Sequence, residues 1–234
     1  MRERSSVMVG RLRVVAFKRG WIPQLDPVAD ADEGRVRLDP REVAELLREQ
    51  DTAVIGIDGL GGAGKSTIAE EVSRLLEAED IHTEIFHIDD FIHPKAVRYN
   101  DDYPQWEQYY YLQWRYEHFL SYVVKPLREE REAPPMELYD KDNDSYITDI
   151  RSIPKGSIVI TEGIFLQREE LKDTFDYMIY VDVAEKERLS RVLLRDGYIG
   201  DEADIREKYE KRYFPAEHFY AEKYRPAENA DLVI

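Results

Sequence analysis

The chain has 234 residues, with 33 Lys+Arg against 49 Asp+Glu and a formal net charge of -16. That length allows one large domain, or one domain with an extension, and a chain of this size buries enough surface to fold without staples. The acidic balance argues against general binding to nucleic-acid phosphates or acidic membranes, and the absence of cysteine removes disulfides, thiolate metal sites and cysteine nucleophiles.

Met1–Ser6 leads to no long apolar core, and no apolar run reaches the roughly 18–20 residues of a membrane span. The expected compartment is therefore the cytoplasm. Val7–Phe17 alternates weakly and suits an edge strand. Pro23, Pro27 and the acidic stretch Asp30–Gly34 read as a linker. Asp39 then caps a helix that has Pro40 where a missing amide is harmless and an apolar stripe of Val43, Leu46 and Leu47 up to about Gln50. We therefore divide the chain into an extension over 1–38, of unassigned role, and a domain over 39–234.

From Thr52 onward strands and helices alternate. Ala53–Ile57 is a continuous apolar run of the kind buried in a parallel sheet. Ile68, Val72, Leu75 and Leu76 follow at helical spacing. Further strands are expected at Thr83–Ile88, Ser157–Thr161 and Tyr177–Val183, with a last one at Asp231–Ile234. Helices are expected over Glu185–Arg195 and Ile205–Tyr224. This alternation predicts an α/β fold with a parallel sheet flanked by crossover helices.

Directly after the first of these strands comes Gly59-Leu60-Gly61-Gly62-Ala63-Gly64-Lys65-Ser66-Thr67, which satisfies G-x-x-x-x-G-K-[ST]. Small residues let successive amides curl around phosphate oxygens, and the following helix points its positive end at them. Gly59, Gly61, Gly62, Ala63, Gly64, Lys65, Ser66 and Thr67 are thus the candidate ATP-binding residues. Lys65 is the point charge for the β/γ-phosphates, and the Ser66 hydroxyl is a Mg²⁺ ligand. The flanking strand and helix are the context that separates this loop from a chance glycine-rich turn. Neither the guanine-reading N-K-x-D nor an L-S-G-G-Q sequence occurs.

Two acids close two strands of the same expected sheet. In an open parallel sheet ligands bind beyond the carboxyl ends of the strands, so Asp89 faces the crevice of the phosphate loop. A carboxylate there can take the proton of a hydroxyl attacking the γ-phosphate, although position alone suits a turn cap as well. Ile158-Val159-Ile160-Thr161-Glu162 is a Walker B arrangement, with Glu162 available to Mg²⁺ directly or through water. Farther on, Arg191 and Arg195 share a helix face, with Arg188 one turn earlier, and can form a clamp on transferring charge. The plain alternative is a solvated face with Glu187–Arg191 pairing. His87 and His93 flank Asp89 without metal-like spacing and read as local hydrogen-bonding residues.

Taken in order, Gly59–Thr67, Asp89-Asp90-Phe91, Thr161-Glu162-Gly163 and Arg188-Leu189-Ser190-Arg191 through Arg195-Asp196 resemble the uridine kinase/phosphoribulokinase superfamily of P-loop small-molecule kinases. The resemblance covers about residues 52–234, including Asn229–Ile234 as the closing strand. It implies a P-loop fold with a helical lid bearing the arginines, and ATP-dependent phosphorylation of a primary hydroxyl on a small metabolite. It makes Asp89 the general base, and it implies that Asp102 holds ribose hydroxyls and that Tyr139, in the Tyr139-Asp140 pair, lies near a nucleoside base. The expected participants are therefore ATP, Mg²⁺ and a small hydroxyl substrate, without nucleic acid or membrane, and a homo-oligomer is compatible with the chain.

Three departures point away from uridine itself. Ile92 stands where uridine kinases place a tyrosine, Val192 follows Arg191 where a second arginine is common, and Asp142, Asn143 and Asp144 replace an expected histidine. The stretch Tyr99–Tyr146 holds nine of the sixteen tyrosines together with Trp106 and Trp114. Trp106, Tyr109, Tyr110 and Trp114 have helical spacing, so they form either a core-facing surface or the wall of a pocket for a planar substrate. Besides a nucleoside kinase, the motifs allow a kinase of a pantothenate- or sugar-type acceptor, an NTP-hydrolysing switch acting on a protein partner, or a degenerate ATP sensor. Intact Lys65, Ser66, Asp89 and Glu162 count against the last.

Overall fold

The computed structural model describes residues 52–129 and 132–234, with the backbone of three short strands nearer the N-terminus: β1 (Ser6–Val9), β2 (Leu12–Ala16) and β3 (Trp21–Gln24). These pair antiparallel in the order β1-β2-β3. The strand expected over Val7–Phe17 is thus a pair of strands with Val9 opposite Leu12. Pro23, expected in a linker, lies in the edge strand β3, where a missing amide is tolerated. The linker over 30–34, the helix over 39–50 and the boundary at 38/39 lie outside the described residues.

The main sheet has five parallel strands. They are β4 (Ala53–Gly59), β5 (Thr83–His87), β8 (Ile158–Gly163), β9 (Tyr177–Val181) and β10 (Leu232–Val233). A separate antiparallel hairpin, β6 (Met136–Asp140) with β7 (Ser145–Asp149), falls between β5 and β8 in the chain. The order across the sheet is β10-β9-β4-β8-β5, so β4 is central and its two neighbours come much later in sequence. The chain therefore leaves β4 at a switch point, where neighbouring connections diverge and open a crevice beyond the strand ends.

Side chains alternate across the sheet. Val54 joins a buried cluster with Phe86, Val159 and Met178, whereas Ile55 and Ile57 join Val72, Leu76, Ile160 and Ile179 on the other face. Helix α1 (Lys65–Glu77) covers the second face through Ala69, Val72, Ser73 and Leu76, a spacing of three and four residues. The first face is covered by aromatic helices. After the short α2 (Lys95–Arg98) come α3 (Gln105–Glu107), which runs on through a π turn at Gln108–Leu112, and α4 (Tyr116–Phe119), joined by a π turn at Leu120–Val124 to α5 (Lys125–Arg128). Tyr109, Tyr110, Trp114 and Phe119 from this stretch are buried around Phe165 and Val159.

The lid begins with α6 (Glu185–Arg195). It continues in α7 (Glu202–Lys208), which passes through a π turn at Tyr209–Tyr213 into α8 (Phe214–Tyr224), before the single turn α9 (Pro226–Asn229). The helix expected to start at Ile205 starts at Glu202 because Asp201 caps it. The Asp201 side chain accepts from Ala203 N (2.8 Å) and Asp204 N (3.0 Å), and Asp204 returns a bond to Asp201 N. Val192, Ile205, Tyr209 and Phe214 give the lid its own small core. Among the described residues no helix is long and apolar enough to cross a membrane.

Candidate functional site

The phosphate loop leaves β4 at Asp58, an acid that the sequence hides inside an apolar strand. Asp58 is fully buried, and its Oδ1 accepts from Gly59 N (2.8 Å) while its Oδ2 accepts from Tyr220 Oη (2.5 Å) and Gln167 Nε2 (3.1 Å). Burial pushes its carboxyl up, against the pull of those bonds and of Lys65. At the other end of the loop Gly64 adopts φ 101°, and α1 starts without a side-chain cap or an acidic residue in its first turn. The N-terminus of α1 is therefore left to an external anion. Lys65 Nζ donates to Leu60 O at 3.3 Å, which folds the lysine back over the loop. Gly62 needs its hydrogen: φ is +81°, and a Cβ there would lie 2.9 Å from Arg188 O.

The two predicted acids lie at the carboxyl edge of the sheet. Glu162 is the penultimate residue of β8 and is in register with His87 of β5. Neighbours in a parallel ladder face the same side, and Glu162 Oε1 lies 2.6 Å from His87 Nδ1 and accepts from Ser66 Oγ at 3.1 Å. Burial pushes the Glu162 carboxyl up, but the His87 bond and the Lys65 charge outweigh it and hold it below its ordinary value. The same contact with Glu162 raises His87. His87 is thus a local hydrogen-bonding residue, as the sequence suggests, and its partner is Glu162.

Asp89 sits in the single 3-10 turn Ile88–Asp90 that follows β5. The turn can lie against β8 because Gly163 has no side chain; a Cβ there would be 2.1 Å from Ile88 Cγ2. Asp89 is open to solvent on one side, yet protein surrounds it closely enough for desolvation to raise its carboxyl, with the Glu162 charge adding to the rise. Lys65 opposes both. The loop lysine, the loop serine, Glu162 and Asp89 are therefore brought together at one edge of the sheet.

The three arginines of α6 separate into three environments. Arg188 is buried and donates to Gly61 O (3.0 Å), Val183 O (3.0 Å) and Glu217 Oε2 (2.7 Å). Arg191 donates to Ala63 O (2.9 Å) and Gly62 O (3.4 Å) while pairing with Glu187 at 2.5 Å. Arg195 is 62% exposed and is held by Asp196 at 2.6 Å, with Tyr209 Oη at 3.4 Å. Helical spacing finds all three but does not reveal that the first is built into the loop itself.

Of the residues expected on the acceptor side, Tyr139 lies in β6 with its hydroxyl committed on both sides. It accepts from Arg98 Nη2 (2.7 Å) and donates to Asp144 Oδ1 (2.8 Å). Asp102 is exposed in the turn before α3, with its backbone N bonded to Asn100 Oδ1. Tyr109 and Tyr110 are buried, which bears out the core-facing reading for that pair. For Mg²⁺ the donor set of Ser66 hydroxyl and Glu162 carboxylate fits an ion that takes one or two protein ligands plus phosphate oxygens and water. Among the described residues no group of three or more His, Asp or Glu is placed to hold a metal ion.

Sequence reasoning missed Asp58 and Glu217; an acid inside an otherwise apolar strand is the one local signal that marks Asp58, and none marks Glu217.

Comparison with known proteins agrees with this geometry. The family model for the phosphoribulokinase / uridine kinase family matches residues 54–234. A uridine kinase from Staphylococcus haemolyticus is 28% identical over 157 residues, 62% of this chain and 69% of that protein. A solved structure described as a possible uridine kinase from Bacillus stearothermophilus superposes with a TM-score of 0.64 at 27% identity, over 82% of this chain and 99% of that one. A candidate fructose transport system kinase from Silicibacter sp. TM1040 shares the fold, with a TM-score of 0.68 at 19% identity over 83% of this chain and 96% of its own. The chain belongs to the phosphoribulokinase/uridine kinase family and, with it, is an ATP-dependent small-molecule kinase.

Proposed function

We propose that the protein transfers the γ-phosphoryl group of MgATP to a hydroxyl of a small metabolite, with a nucleoside as the first candidate, and that Asp89 is the general base. The observation that carries this reading is the Asp89 carboxylate, open to the crevice beside Lys65 and Glu162 and raised by desolvation toward the working range of a base. In the step, the acceptor oxygen bonds to the γ-phosphorus as the bond from that phosphorus to the β,γ-bridging oxygen breaks. The acceptor proton passes to Asp89, and ADP leaves. Lys65 and the loop amides hold the phosphates, and Arg195, with Arg191 once it leaves the loop carbonyls, would neutralise charge on the transferring group. Ser66 and Glu162 would hold Mg²⁺, which would neutralise charge on the phosphate oxygens.

Asp102 and Tyr139 are the proposed acceptor contacts. The Tyr139 hydroxyl is already shared between Arg98 and Asp144, which favours a second reading in which the acceptor is a polyol or acid rather than a nucleoside. The test is ADP release from MgATP against nucleosides, nicotinamide riboside, pantothenate, sugars and sugar phosphates, with Asp89→Asn as control. Stimulation by one class, lost in the variant, identifies reaction and acceptor together. ATP binding with no stimulation by any small hydroxyl compound, but with stimulation by a protein, would replace the proposal with a switch.

A further inference from the structure

The phosphate loop binds through N–H groups, so something must fix which way its peptides face. In a trans peptide the C=O and N–H point in opposite directions. Three consecutive carbonyls, Gly61, Gly62 and Ala63, are held on the lid side by Arg188 and Arg191. The N–H groups of Gly62, Ala63 and Gly64 therefore face the other way. That side is the one on which Ala63 N and Lys65 Nζ meet Leu60 O, at 3.1 and 3.3 Å. The peptide before this run is turned the opposite way: Gly61 N donates backward to Glu217 Oε1 at 2.9 Å.

We propose that Glu217 is a positioning residue for phosphate binding, acting through the Gly61 amide to set the peptide orientation from which the rest of the loop follows. Both oxygens of its carboxylate are used, one on Gly61 N and one on Arg188 Nη1 (2.7 Å), and the side chains of Arg188 and Glu217 are only 3% and 1% exposed. Arg188 closes the unit by donating to Gly61 O, so both backbone groups of one residue are gripped by one buried ion pair. Gly61 leaves room for it: a Cβ would stand 2.9 Å from Glu217 Oε1. The grip comes from α8 and α6 together, which ties the loop to both arms of the lid.

This inference rests on the loop being the ATP site, and the test separates the two. Binding of MgATP by calorimetry, without acceptor, is compared between Arg188→Met/Glu217→Gln and Arg188→Met/Glu217→Leu, with melting temperatures alongside. Neither double variant leaves a buried charge without its partner, so both are expected to fold. Only the glutamine variant keeps an oxygen for Gly61 N–H, and it should bind MgATP at least about tenfold more tightly than the leucine variant at similar melting temperature. Equal affinities would show the pair to be structural only and overturn the inference. Should the leucine variant fail to fold, Gly61→Ala serves instead; its Cβ displaces Glu217, and wild-type affinity there would overturn the inference equally. Wild-type protein that binds no MgATP would overturn the proposed function first.

Discussion

The phosphate side and the acceptor side of the crevice are built in opposite ways. On the phosphate side a short stretch of backbone is held by acids that each have bonded partners: Asp58 accepts from Tyr220 and Gln167, Glu217 pairs with Arg188, and Glu162 with His87. On the acceptor side the walls are aromatic rings packed edge to face, and of the cations buried among them Arg168 pairs with Glu170 while Arg212 has only neutral oxygens and ring faces for partners. Arg212 is 1% exposed and donates to Gln105 O and Gln113 Oε1, both at 3.2 Å, with its guanidinium 4.4 Å from the Tyr99 ring centre. One half thus holds its backbone through buried acids and their partners, and the other is walled mainly by aromatic rings.

The largest expected effect separates the halves kinetically. Asp89→Asn should lower kcat by about 10²–10⁴-fold while MgATP affinity stays within about threefold. Lys65→Ala should weaken MgATP binding and turnover together. If the two variants gave the same pattern, the division between a phosphate side and an acceptor side would fail.

Stability sharpens the same contrast. Arg188→Met alone leaves the Glu217 carboxylate buried and unpaired, so it should cost about 3–5 kcal/mol. Arg212→Met removes an equally buried cation but strands only neutral oxygens, so about 1–2 kcal/mol is expected. Denaturant melts of the two variants make the comparison directly, and equal losses would mean that Arg212 has an ionic partner after all.

How far the sequence could be read follows the same line. The strands of the main sheet, the loop and helix Glu185–Arg195 are legible because their patterns are local (an apolar run, eight consecutive residues, a stripe repeating every three or four), whereas the hairpin β6–β7 is not among the expected strands. The residues that hold the loop are not, because each finds its partner far along the chain. Tyr220 and Asp58 are 162 residues apart, Glu217 and Gly61 156, and His87 and Glu162 75. Arg188 reads from spacing as a lid cation beside Arg191 and Arg195, and only the packing of α8 against it and the loop, through Glu217, makes it structural. The three π turns carry no local signal either, since one extra residue in a helix changes which side chains face inward without changing the composition.

A smaller effect belongs to the lid. Asp201→Ala removes the acceptor for two amides at the start of α7 and should cost about 1 kcal/mol, visible as a lower melting temperature. The cap lies away from the loop, so MgATP affinity should be unchanged. A loss of affinity would extend the grip on the loop to the far end of the lid.

The smallest effect concerns what Asp89 does to the fold. Desolvation by the surrounding protein and the nearby Glu162 charge raise its carboxyl in the folded protein above the ordinary value of 3.8. Between the unfolded and folded values the folded state holds more protons, so stability falls as pH rises through that window. Above the folded value the whole penalty is present, and a neutral residue relieves it. Asp89→Asn should therefore melt higher than wild type at neutral pH, with the difference shrinking as pH falls and vanishing below the unfolded value, where Asp89 is protonated in both states. His87→Gln should widen this difference slightly, because the His87 charge offsets part of the repulsion from Glu162 and Asp90. A variant that melts lower than wild type at neutral pH would mean that Asp89 is paired in the folded protein, and an acid already paired is not free to take the acceptor's proton.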